Sequence, residues 1–130
     1  MVSDTGFNPY ASCLITTEKI IAEQPELVQA MVTASVHGWD QYLVDSTPTN
    51  ADINAENSDM SLAVLKFGAT QMVPLCLTEP GVPACGMTSA RWTTLVRQIE
   101  EIEEIARGSV NPDECFTTKF LDAVPAAAPK

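Results

Sequence analysis

The sequence predicts a mainly helical fold with one or few short strands. Three observations carry that expectation. Long stretches place apolar residues three and four apart, the spacing of one helix face. Pro and Gly punctuate those stretches where helices start or stop. One stretch alone, Tyr10 to Thr17, has the β-branched and apolar content of a strand.

The chain opens on turn residues Gly6, Asn8 and Pro9, and the strand comes next. An isolated strand has nothing to pair with inside its own chain. Glu18 to Glu23 reads as one or two helical turns. Pro25 suits the first position of a long helix, and Glu26 suits its positive end. Val28, Met31, Val32, Trp39, Tyr42 and Leu43 recur at helical spacing to about Val44. Small Ala34, Ser35 and Gly38 lie between them and let a neighbouring helix come close. Pro48 limits continuation.

Thr47 to Asn57 is polar, with a weak helical patch from Ala51 to Glu56. A further helix is expected from Ser58 or Asp59 to Pro74. Its face would be Met60, Val64, Phe67 and Met72, broadened by Leu62, Leu65 and Ala69. Leu75 to Met87 reads as a loop. Thr88 caps the next helix, whose stripe is Trp92, Leu95, Val96, Ile99, Ile102 and Ala106, and Gly108 stops it. Asn111-Pro112-Asp113-Glu114 repeats the start signals for a short helix to about Leu121. Residues 1–121 therefore read as a single helical domain with an N-terminal strand, and 122–130 as a disordered tail.

The 130 residues suffice for one modest core and not for two full domains. Seven Lys plus Arg face seventeen Asp plus Glu, a formal net charge of −10. No basic stripe is available, so nucleic acid is not an expected partner. An anionic membrane surface is equally unsuited, and no run of apolar residues is long enough for membrane insertion. No basic segment precedes an apolar stretch at the N-terminus, so no signal peptide is read and the product as written is cytoplasmic.

The cysteines are Cys13, Cys76, Cys85 and Cys115. Cys76 and Cys85 flank a Pro/Gly loop and would bridge if their Cβ atoms converged; free thiols are the more ordinary reading. No CxxC pair and no Cys/His cluster occurs, so no metal or cofactor is expected. His37 is the single histidine, with Asp40 three residues on and no nucleophile placed beside it. It reads as a surface or core-edge residue. Glu100, Glu101, Glu103 and Glu104 flank an apolar stripe on one helix, which is a solvated face rather than a carboxylate site. Asp52 to Glu56 lacks the central Gly and terminal Glu of a calcium loop. No catalytic residue is assigned, and the chain is not expected to be an enzyme. Tyr10 differs from the other aromatics: a rigid turn delivers its amphipathic ring, which reads first as a structural anchor and second as a device of a ligand rim.

Several segments, taken in order, resemble a family. Gly6-Phe-Asn-Pro-Tyr10, Leu14-Ile-Thr-Thr-Glu-Lys19, Pro25-Glu-Leu-Val28, Ser35-Val-His-Gly-Trp39, Met87 with Trp92, and Gly108 with Pro112 and Phe116-Thr-Thr-Lys-Phe120 carry the likeness. Together they look like the C-terminal part of ABC-transporter periplasmic solute-binding proteins of the nitrate, sulfonate, taurine and thiamine-precursor class. The resemblance implies a partial type II periplasmic-binding-protein lobe, truncated relative to the family. It also implies a periplasmic setting and a permease partner for the family's members. On that mapping Asn8, Tyr10, Thr16 and Thr17 lie near the hinge and are the expected ligand-binding residues.

The function expected from this is a non-enzymatic small-molecule-binding module of transport ancestry. Its ligand would be a small nitrogenous or heterocyclic compound. The alternative is a structural or protein-interaction module that uses its helical surface without a small ligand. One strand among amphipathic helices leaves a strand edge and a helix face uncovered. A homo-oligomer, pairing or exchanging the strand near residues 10–17, would cover both.

Overall fold

The computed structural model describes residues 6–7, 9–10, 12–75, 82 and 85–124. Within them the regular structure is helical, with no strand. This corrects the expected partial α/β lobe: there is no sheet among the described residues on which such a lobe could be built. The stretch expected as a strand is irregular from Ser12 to Thr17. Side-chain propensity for a strand does not suffice without a neighbour to complete the ladder.

The first helix, α1 (Glu18–Glu23), starts where Thr17 Oγ1 accepts the Ile20 N–H at 3.2 Å. It stops at Gln24, the residue before a proline. Pro25 disfavours the helical region for that residue, and Gln24 adopts φ −136°, ψ 53°. The same proline opens α2 (Pro25–Val44), at the limits expected from the sequence. Pro48 proves to be an opener too. It lies in the first turn of α3 (Thr47–Glu56), where a missing N–H costs nothing, so the weak helical patch becomes a full helix.

α4 (Leu62–Leu75) begins three to four residues later than expected, after an Asn57 turn. Its inward face also differs from the expected one. Leu65 is 7% exposed, whereas Phe67 is 66% exposed and Met60 and Val64 face solvent with it. Leu65, Gly68, Ala69 and Met72 are spaced i, i+3, i+4, i+7 and lie at least partly buried. A helix apolar on most sides offers two legitimate stripes, and periodicity alone does not say which one turns inward.

α5 (Ser89–Glu101) starts on Thr88 as expected but stops well short of Gly108. Glu103 N–H donates to Glu100 O at 3.1 Å and Glu104 N–H to Ile99 O at 3.2 Å. That pair of bonds is a Schellman ending, with Glu103 in the left-handed region at φ 61° where glycine is usual. Four glutamates at the negative helix end, with like charges three and four apart, explain the early stop. Ile102 and Ala106 consequently leave the apolar stripe and are exposed. Glu103→Gly is expected to raise stability by up to ~1 kcal/mol in urea unfolding, because the left-handed strain outweighs the extra chain entropy of glycine.

The last expected helix is reduced to a 3-10 turn, Pro112–Glu114, capped by Asn111 Oδ1 on the Asp113 N–H at 3.2 Å. The predicted start signals work, but the helix does not continue beyond Glu114. Residues 119–123 form only a turn, and 125–130 of the predicted tail lie outside the described residues.

Packing joins α1 to α2, α3 to α4, and α5 to the 3-10 turn. Longer ties close the bundle. Gln29 Nε2 on α2 donates to Phe120 O at 2.8 Å. Tyr42 Oη donates to Oδ1 of buried Asn50 at 3.0 Å, and Asn50 Nδ2 donates to Ser46 Oγ at 3.2 Å. Val36, Leu65, Val96 and Phe120 are the buried apolar residues, each from a different segment, and no large side chain among the described residues is fully enclosed.

Candidate functional site

The N-terminal arm lies on α5. Gln98 Nε2 donates to Gly6 O at 2.9 Å, and an Arg91 guanidinium N–H donates to Pro9 O at 3.0 Å. That guanidinium also stacks over the Tyr10 ring, 4.1 Å from its centroid. Tyr10 Oη accepts the Thr88 N–H at 2.9 Å, which ties the arm to the start of α5. The Tyr10 ring leans on Trp92 at 5.7 Å, and Trp92 stacks on Phe116 at 6.0 Å with planes 10° apart. Three segments distant in sequence thus meet in one aromatic stack. Trp92 Nε1 is buried in it with no hydrogen-bond partner.

Of the four residues expected around a ligand, Tyr10, Thr16 and Thr17 are among the described residues. Tyr10 is engaged in this stack by its ring and by its hydroxyl. Thr17 caps α1, and Thr16 is exposed. Asn8 lies outside the described residues, as does Cys76 of the considered disulfide. Cys85 is a free thiol. Partial burial of its sulfur, and then the Asp40 carboxylate, push that thiol above its ordinary range. Raising a thiol lowers its thiolate fraction at any given pH, so iodoacetamide should modify Cys85 more slowly than a free cysteine at pH 8. Asp40→Asn should speed the reaction, as followed by mass spectrometry of the Cys85 peptide. Among the described residues no group of three or more His, Cys, Asp or Glu is placed to hold a metal.

What the chain does present is apolar helix surface. α4 carries a single charge, Lys66, in 14 residues. It nevertheless shows Leu62, Val64 and Phe67 to water. On α2, Val36 points inward while Leu27 and Met31 are exposed. Ala34 and Gly38 continue that outer stripe at i+7 and i+11 from Leu27, and a Cβ added at Gly38 would meet nothing within 4 Å. Each helix is therefore apolar on two faces and buries one.

No protein-family model, no curated protein and no solved structure matches the chain. The reading of this surface rests on its chemistry alone. The expected solute-binding module is overturned by the helical architecture, which offers no α/β lobe to form half a cleft. The transporter-like architecture expected with it is overturned on the same ground. Among the described residues no helix is long and apolar enough to cross a membrane. The missed signal is the low charge of α4. A helix with one charge in four turns is apolar on most of its sides, and that is legible without a structure.

Proposed function

We propose that the chain is a non-enzymatic protein-interaction module that docks through its helical surface. The observation that carries this is the solvent face of α4, where Val64 and Phe67 stand three residues apart, both exposed, with Met60 exposed just before the helix. Contiguous exposed apolar surface marks interaction sites in water-soluble chains. An aromatic anchor among aliphatic neighbours is also the usual composition of an interface centre. The outer stripe of α2 supplies a second such face. A second copy of the chain is the nearest available partner for either.

Sedimentation equilibrium over a concentration series tests this. The wild-type mass should rise above 14.0 kDa with concentration. Phe67→Asp should abolish the rise while changing unfolding free energy by no more than ~0.5 kcal/mol, because the ring is already in water. A species of 14.0 kDa at every concentration that also fails to bind an apolar dye would overturn the reading.

A further inference from the structure

A stretch near the N-terminus, apart from the helical faces, also lacks a hydrogen-bonding partner among the described residues. Residues 12–16 make no hydrogen bond within the described residues, from backbone or from side chain. Backbone N–H and C=O are obligatory hydrogen-bonding groups, and the helices, turns and caps among the described residues use them. Here five consecutive residues leave both without a partner among the described residues, Cys13 half-buried and the other four exposed. The segment is Ser-Cys-Leu-Ile-Thr, uncharged and free of Pro and Gly. Ile15 is 91% exposed, and Leu14 is also exposed. β-branched and apolar side chains of this kind suit a pleated, half-buried surface and nothing in the observed surroundings.

The segment is held at both ends. Upstream, Tyr10 is fixed on α5 through the Thr88 N–H and the Arg91 guanidinium. Downstream, Thr17 has extended backbone at φ −98°, ψ 153° and caps α1. The intervening residues are therefore displayed between two anchors rather than left as a loose end.

We propose that residues 12–16 are a recognition strand that adds to the open edge of a β-sheet in a partner protein. The backbone groups would complete the ladder, and Leu14 and Ile15 would enter opposite faces of the sheet. A second copy fits less well. The described residues hold no strand, so a copy would contribute only its own 12–16 segment, and a two-stranded ribbon is marginal in water. A partner that already owns a sheet supplies the third and further strands. This inference uses a different surface from the helical docking face and stands or falls separately from it.

The test uses the full chain and a disulfide-cyclised β-hairpin peptide with one open edge. A matched hairpin whose edge amides are N-methylated serves as the control. Addition of the open-edge hairpin should shift and protect the amides of 12–16 in a nitrogen-labelled sample. The N-methylated hairpin should bind at least tenfold more weakly. Ile15→Pro should weaken binding to the same degree by removing a ladder donor, whereas Ile15→Thr should retain it. Equal binding of the two hairpins, or no binding of either, would sink the proposal. Shifts confined to α2 or α4 would also sink it while leaving the helical interaction reading intact. Mass doubling without hairpin that Ile15→Pro abolishes would assign the segment to a second copy instead.

Discussion

Trp92→Ala is expected to destabilise the fold by about 3 kcal/mol, read from urea unfolding. The indole is the middle ring of the stack that holds the N-terminal arm, α5 and the Phe116 segment together. Removing it leaves Tyr10 and Phe116 without their shared neighbour and opens a cavity between three chain segments. Against a usual total of roughly 5–15 kcal/mol, that is a large share. Trp92→Phe separates packing from polarity. The Nε1 hydrogen has no partner in its buried position, so its removal forfeits no bond. The phenylalanine variant should therefore lose under ~1.5 kcal/mol, a cost of smaller volume alone. A loss as large as that of the alanine variant would show that the indole nitrogen has a role the geometry does not provide.

Phe120→Ala is the second large effect, at about 3 kcal/mol in the same measurement. Its ring is the most buried apolar side chain described, at 6% exposed. The substitution is informative because the tie from α2 is to the Phe120 carbonyl, which alanine keeps. The loss thus reports on the ring, while Gln29→Ala, at about 1 kcal/mol, reports on the bond. If the two losses were equal, the C-terminal segment would be held by the backbone tie rather than by burial.

Local signals are legible where a single residue decides the outcome. Pro25 opens α2, Thr88 caps α5 and Asn111 caps the 3-10 turn, each at the position the sequence predicts. Choices between near-equal alternatives are not legible. α4 has apolar residues on two faces, and only tertiary packing selects Leu65 over Phe67. The end of α5 is set by repulsion among glutamates and the helix dipole, not by the first glycine downstream. Pro48 carries the same stop-or-start ambiguity that every proline does, and here it lies in the first turn of α3. Tyr10 stands out in the sequence as an unusual aromatic. Its partners Thr88, Arg91 and Trp92 lie some 80 residues away, beyond the reach of any periodicity. Resemblance in motif order points to an α/β lobe, and the missing ladder partner for residues 12–16 is where that expectation fails.

The single charge of α4 has a thermodynamic consequence. An interface built on it would draw on release of water from apolar surface and hardly at all on ion pairing. Such association weakens on cooling, because the hydrophobic driving force fades toward low temperature. It is also strengthened rather than screened by sulfate, although each copy carries ten net negative charges. Complexes formed through this helix would come apart in the cold and hold in salt, the reverse of an assembly held by its charges.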